Sequence, residues 1–185
     1  MHLYFEGWKS KMKTKKQEEL VNAFISEMDE DSKLLYREII MYLSELGYNP
    51  KKEGSRISFK HDMHTKQIAK MGMTKGKSPS PIFMLRFSAC KEYSKRFQDI
   101  VSDAVNKDNI REAQCIQNSC DFCAGEADTH VYTYISFDGQ TQFHCGASAL
   151  KIPNITSEDI AEIKKLLMEE HIYLMKHQAG ITIEN

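Results

Sequence analysis

Apolar residues recur at helical spacing in four segments of this chain. Two of them lie near the N-terminus, at residues 15–28 and in the stretch that ends at Gly47, and each places its apolar side chains on one face. A third helix is predicted at about residues 91–106, and a fourth follows Thr156 as its N-cap. The predicted buried stripe of the fourth helix consists of Ile160, Ile163, Leu167 and Leu174.

Three shorter segments between the second and third helices have the character of β-strands. Residues 56–60 alternate, residues 65–71 do so more weakly, and residues 82–87 are rich in large apolar side chains. Residues 72–81 contain glycine, proline and serine and are predicted to form a loop.

A fourth strand signal lies further along the chain and predicts a hairpin. Residues 130–137 and 140–145 flank Asp138-Gly139, a pair typical of two-residue turns, and this turn would pair Tyr132 with Cys145. The complete pattern predicts an α+β protein: a small antiparallel sheet packed with helices in the order ααβββα, then a cysteine-rich metal-binding hairpin and a C-terminal helix.

The most specific motif is a group of four cysteines with the spacing C-x4-C-x2-C, followed after 21 residues by the last one. Four thiolates complete a tetrahedral zinc site, and a C-x2-C knuckle beside the open end of a hairpin is typical of zinc-ribbon-like sites. His130 and His144 are alternative ligands, since both lie near the same end. The predicted zinc ligands are Cys115, Cys120, Cys123 and Cys145.

Two other interpretations of these cysteines stay open. The order of the cysteines resembles the plant-type ferredoxin signature, which implies a [2Fe–2S] cluster, although the gap before Cys145 is shorter than in that family. The thiols could also be buried without a metal. A disulfide framework is not expected, because no signal peptide precedes the chain.

These segments divide the chain into four parts. Residues 1–12 resemble a cleavage tag or leader, residues 13–107 form an α+β domain, residues 108–152 form the cysteine metal-binding hairpin module, and residues 153–185 carry the C-terminal helix that packs on the core.

The charge and hydropathy of the chain exclude few classes of function. The formal net charge is −1, but eight basic residues lie between Lys51 and Lys77, where a solvated sheet face is expected and nucleic-acid binding is the alternative. No run of 18 apolar residues predicts a membrane span, and a cytoplasmic location is expected.

Three further candidates have simpler interpretations. His61-Asp62-Met63-His64 is predicted to be an exposed polar turn rather than a second metal site, although histidines three residues apart can share a metal. His171 is expected at the surface or at its boundary. Cys90 is expected to be a small buried core residue rather than a reactive thiol at a helix N-terminus.

Residues 15–107 resemble the small bacterial YdhG-like α+β domains, through the helix at 35–46, the strands that end at 82–87 and the helix from Lys91. That resemblance implies a fold and not an activity. No nucleophile–base pair predicts an enzyme. The expected function is a non-enzymatic module with structural zinc that binds an unknown small molecule or protein. The alternative is a [2Fe–2S] or metal-responsive redox protein that uses the same cysteines.

Overall fold

A computed structural model describes residues 12–107, 109–117 and 126–177 of the chain. Two helices come first, α1 (Lys15–Ser26) and α2 (Glu30–Glu45). Thr14 caps α1 through a capping box with Gln17, and Asp29 caps α2 by accepting a hydrogen bond from the Ser32 N–H. Both predicted N-terminal helices are therefore confirmed.

A five-stranded antiparallel sheet follows, with the strand order β1-β2-β3-β4-β7. Its strands are β1 (Tyr48–Glu53), β2 (Arg56–His61), β3 (Gln67–Met73), β4 (Pro81–Leu85) and β7 (Leu150–Ile152). The α+β class and the antiparallel sheet are confirmed, whereas the predicted order ααβββα agrees only roughly because it lacks β1 and β7. β1 is polar and contains Pro50, which the sequence pattern favours as a helix terminator. β1 is an edge strand, where proline is tolerated.

One face of the sheet forms the core. The pairing places Ile57 beside Met71, Met71 beside Phe83 and Phe83 beside Ile152, and all four are buried. The α2 residue Tyr36 packs edge-on against Phe83, with ring centroids 6.5 Å apart. Full burial of one such large apolar side chain contributes about 1.5–3 kcal/mol to stability.

Two further helices pack around the sheet, α3 (Lys95–Asn106) and α5 (Asp159–Lys176), which begin later than predicted. The predicted stripe of α5 is confirmed, since all four of its residues are buried. Asp159 accepts hydrogen bonds from the N–H and hydroxyl groups of Thr156 and forms an ion pair with Arg96. The N-cap of α5 is Glu158 rather than the predicted Thr156, and the Asp159 side chain binds back to the Thr156 N–H.

The predicted hairpin is present as β5 (Tyr132–Ile135) and β6 (Thr141–His144), but its predicted register is wrong by one residue. Tyr132 pairs with His144. The Gly139 N–H donates to the Ser136 carbonyl and the Ser136 N–H donates to the Gln140 carbonyl, and Gly139 has φ +79°. The turn therefore has three residues and a glycine bulge, which places His144 rather than Cys145 opposite Tyr132.

The segment before the hairpin contains the short helix α4 (Gln114–Gln117) and a 3-10 turn at Ala127–Thr129. Two of the four predicted zinc ligands, Cys120 and Cys123, lie outside the described residues. Within the described parts of the chain, no helix is long and apolar enough to cross a membrane.

Candidate metal centre

Three histidines from distant parts of the chain meet beside the edge of the sheet. His61 ends β2, His64 lies in the turn that follows, and His171 comes from α5. One ring nitrogen from each histidine lies within 4.8 Å of the others. The prediction of an exposed polar turn holds for Asp62 and Met63 but is wrong for the two histidines, because His61 and His64 are only 8% and 6% exposed. His171 is half-buried, as expected.

The turn itself directs both of its imidazoles inward. The Met63 N–H donates to Nδ1 of His61 over 3.2 Å, and the Lys66 N–H donates to Nδ1 of His64 over 3.1 Å. Thr65 has a positive φ of 57°, which closes the turn, and its N–H donates to the His61 carbonyl. The backbone thus supplies the polar partners that buried imidazoles need.

The end of α2 makes room for His61. Gly47 has φ +86°, the left-handed conformation that commonly follows a helix end. A Cβ atom at this position would lie 2.7 Å from Nε2 of His61. His61 also hydrogen-bonds to the Leu46 carbonyl. Since Nδ1 accepts from the Met63 N–H, the neutral ring carries its proton on Nε2 and donates it to this carbonyl, so a metal ion would have to displace one of these two partners.

Tyr48 connects the other two histidines. Its hydroxyl oxygen lies 3.2 Å from Nε2 of His64 and 3.4 Å from Nδ1 of His171. Because Nδ1 of His64 accepts from the backbone, the neutral ring carries its proton on Nε2 and donates to Tyr48. The Tyr48 hydroxyl can then donate to His171. Burial raises the pKa of Tyr48, so the phenol keeps its proton.

The three imidazoles are neutral near pH 7. Burial is the main cause of the lowered pKa of each ring. For His64, repulsion from Arg86 and from His61 and His171 in their protonated forms adds to the effect of burial, and the pKa falls to about 4. A neutral imidazole is the form that binds a metal, so protons compete little at this site.

A buried ion pair lies next to the three histidines. The Glu170 carboxylate is fully buried one residue before His171, and its Oε1 lies 2.5 Å from Nε of Arg86. The other carboxylate oxygen accepts from the Ala89 N–H over 2.8 Å. Burial raises the pKa of Glu170, while Arg86 and the Ala89 N–H oppose that rise. This pair fixes the α5 turn that carries His171.

Metal binding would require the rings to approach each other, and His61 and His64 would each have to release one hydrogen-bonded nitrogen to the ion. His61 and His64 stack with centroids 4.5 Å apart and 11° between their planes. In a tetrahedral site with Zn–N bonds of about 2.0–2.1 Å, ligand nitrogens are roughly 3.3 Å apart. Three imidazoles then leave one position for water or another ligand.

The cysteine ligands predicted from the sequence are placed only in part. Cys115 in α4 and Cys145 after β6 are both half-buried. The Cys145 N–H donates to the Arg111 carbonyl and the Ala113 N–H donates to the Phe143 carbonyl, so the segment before Cys115 pairs with the segment that contains Cys145. Among the described residues, neither cysteine belongs to a group of three close metal ligands.

The alternative ligands of the hairpin are buried. His130 and His144 are 1% and 5% exposed. Nε2 of His130 and both ring nitrogens of His144 have no hydrogen-bond partner within the described parts of the chain. An unpaired buried polar group of this kind costs about 1–3 kcal/mol.

Cys90 is the buried core residue that the sequence predicts. It is 4% exposed, and its thiol lies 3.5 Å from the Leu166 carbonyl. Burial raises the pKa of this thiol, which keeps it protonated and unreactive.

Two of the three histidines of the cluster can be recognised as a possible metal-binding pair in the sequence, and the third cannot. The spacing of His61 and His64 matches that of histidines that share a metal, but the third histidine follows more than a hundred residues later. No local pattern connects His171 to that turn, so its part in the site comes from the packing of α5.

No protein-family model, curated protein or solved structure matches this chain significantly. The resemblance of residues 15–107 to YdhG-like domains stays a prediction.

Proposed function

We propose that this protein binds a divalent transition metal ion through His61, His64 and His171. The observation that carries the proposal is the meeting of three neutral imidazoles, one nitrogen of each within 4.8 Å of the others. Imidazole ligands suit zinc, copper and nickel rather than magnesium or calcium. Three protein ligands leave a position for water or an external ligand, so the bound ion would be open to exchange.

The direct test is a titration of metal-stripped protein with Zn²⁺ in a calorimeter, repeated with Co²⁺ in a spectrophotometer. We expect one ion to be bound by the histidine cluster, with Co²⁺ absorption bands typical of nitrogen ligands and no thiolate charge-transfer band. The His171→Gln variant should bind this ion at least tenfold more weakly.

His177→Gln is the matched control for this variant. His177 follows the end of the same helix and is also half-buried, but its Nδ1 lies 3.0 Å from the Tyr173 carbonyl and its ring stacks on Tyr173. This variant should bind the ion as the unaltered protein does. Equal affinity of both variants and the unaltered protein would refute the histidine site.

A second candidate is the zinc-stabilised module in which Cys115, Cys120, Cys123 and Cys145 hold the ion, as the sequence predicts. The pairing of the segments that carry Cys115 and Cys145 favours it, as do the unpaired buried nitrogens of His130 and His144 nearby. In this case the protein would be a non-enzymatic module in the cytoplasm that binds a partner or small ligand. The alternative for the same cysteines is a [2Fe–2S] centre.

The second candidate function predicts effects of a different set of substitutions. Cys120→Ser or Cys123→Ser should release zinc and lower the melting temperature, because the metal-binding energy is folding energy. Cys90→Ser should leave the metal content unchanged. Iron, sulfide and visible absorption in protein purified without oxygen would favour the [2Fe–2S] alternative. Unchanged metal content in both Cys120 and Cys123 variants would refute all thiolate assignments and leave the histidine proposal untouched.

A further inference from the structure

The face of the sheet opposite the core carries a row of basic side chains. The row begins with Lys51, whose cross-strand neighbours are Ser58, then Lys70, then Met84, then Lys151. Residues that pair directly project to the same side of a sheet. Because neighbouring strands lie about 4.8 Å apart, this row across five strands spans about 19 Å.

Two more basic residues extend this face along β2. Arg56 stands two residues before Ser58, and Lys60 pairs with Asn49, which stands two residues before Lys51. Alternation along a strand therefore puts both on the same side as the row. Lys51, Arg56, Lys60, Lys70 and Lys151 together form the basic face of the sheet.

Most of the charge on the basic face has no counter-charge. Glu53 is the acidic strand residue on this side, and its carboxylate lies 3.2 Å from Nζ of Lys70. Lys51, Lys60 and Lys151 form no ion pair with any carboxylate of the described residues, and neither does Arg56. Asp62 attracts Lys51 without forming an ion pair with it, so four cations remain available to an external anion, although the whole chain has a formal net charge of −1.

A groove runs along one side of the basic face, between β4, β7 and α3. Its volume is 530 Å³. Arg56, Lys151 and the α3 residue Lys107 lie along its walls, and Lys107 pairs with Asp103 at 2.7 Å. The partly exposed Ile82 and Met84 form an apolar part of the lining between these charges.

We propose that the basic face and its groove bind single-stranded nucleic acid. The phosphates would follow the row of lysines, and unpaired bases would lie on Ile82 and Met84. Charge complementarity carries this choice of partner. The 19 Å span of the row (about four strand spacings) exceeds what one nucleotide covers, so the charges suit a chain of phosphates. A duplex would keep its bases stacked inside and leave the apolar lining without a partner.

The test measures binding of a fluorescent single-stranded DNA of about 12 nucleotides, within the usual site sizes for such proteins. Anisotropy titrations of the full chain over a range of salt concentrations give the slope of log K against log salt. Four phosphate contacts predict a slope of about −3, since each contact contributes roughly −0.7 for single strands.

The informative variant is Arg56→Gln with Lys151→Gln, which removes two exposed charges. Its slope should be shallower by about 1.4, and its affinity at about 0.1 M salt should fall roughly 25-fold. The matched control is Lys33→Gln with Lys164→Gln, on α2 and α5 over the core side of the sheet. This control changes the net charge equally and keeps the N-terminal lysines, so it should bind as the unaltered protein does.

Three results would overturn the proposal. They are no binding at low salt, an equal loss of affinity in both double variants, or equal affinity for the duplex of the same sequence. A polyglutamate competitor that displaces the DNA as well as unlabelled DNA does would instead identify an acidic protein as the partner. Melting temperatures of both variants near that of the unaltered protein establish that the fold is retained.

Discussion

Acidification should destabilise the metal-free protein through His64. The folded-state pKa of His64 is about 4, against an ordinary value of 6.5. As the pH falls below 6.5, the unfolded chain takes up a proton on this ring and the folded chain does not, so the free energy of the unfolded state falls relative to that of the folded state. The loss of stability starts near pH 6.5 and levels off below pH 4.

The size of this loss of stability follows from the difference between the folded-state pKa of His64 and its ordinary value. Each pKa unit is worth about 1.36 kcal/mol, and close to the folded pKa part of the penalty is already relieved by protonation of the native state. Between neutral pH and pH 4, His64 alone should therefore remove about 3 kcal/mol. That is a large share of the roughly 5–15 kcal/mol by which a domain is stable.

The assay is urea unfolding of metal-stripped protein, followed by circular dichroism at several pH values between neutrality and pH 4. Other groups titrate in the same range, so the informative quantity is the difference in unfolding free energy between the unaltered protein and His64→Gln. This difference should shift by about 3 kcal/mol in favour of the variant as the pH falls. A difference that does not depend on pH would show that His64 is not responsible for the loss of stability in acid.

Three further predictions concern the packing around the site. Gly47→Ala should lower the melting temperature and weaken Zn²⁺ binding, because its Cβ would lie 2.7 Å from the His61 ring at a backbone φ of +86°, and calorimetry of the variant checks this. Glu170→Gln should cost about 3–5 kcal/mol in urea unfolding, since it leaves the buried Arg86 charge without its counter-charge, and a loss below about 1 kcal/mol would contradict this account. Gly146→Ala should separate the hairpin from its neighbours, because a Cβ there would lie 1.6 Å from a backbone oxygen, and loss of near-ultraviolet circular dichroism would report it.

The sequence predicted what depends on local pattern. α1, α2 and the buried stripe of α5 follow from apolar spacing, since a helix forms its hydrogen bonds within its own segment. β1 was not predicted, because its burial depends on β2 and on the helices beside it. The hairpin was recognised, but Asp138-Gly139 could occupy either a two-residue or a three-residue turn, and this choice sets the register.

The same distinction between local pattern and tertiary contacts applies to the candidate site. The His61–His64 spacing, the four cysteines and the excess of basic residues between 51 and 77 are visible in the sequence. The packing of α5 brings His171 to the His61–His64 turn, and pairing across five strands aligns Lys51, Lys70 and Lys151; neither arrangement can be recognised in the sequence. The physical reason is that burial, pKa and metal-ligand geometry depend on contacts between segments far apart in the chain. Local periodicity specifies which face of an element is apolar and does not specify which element covers it.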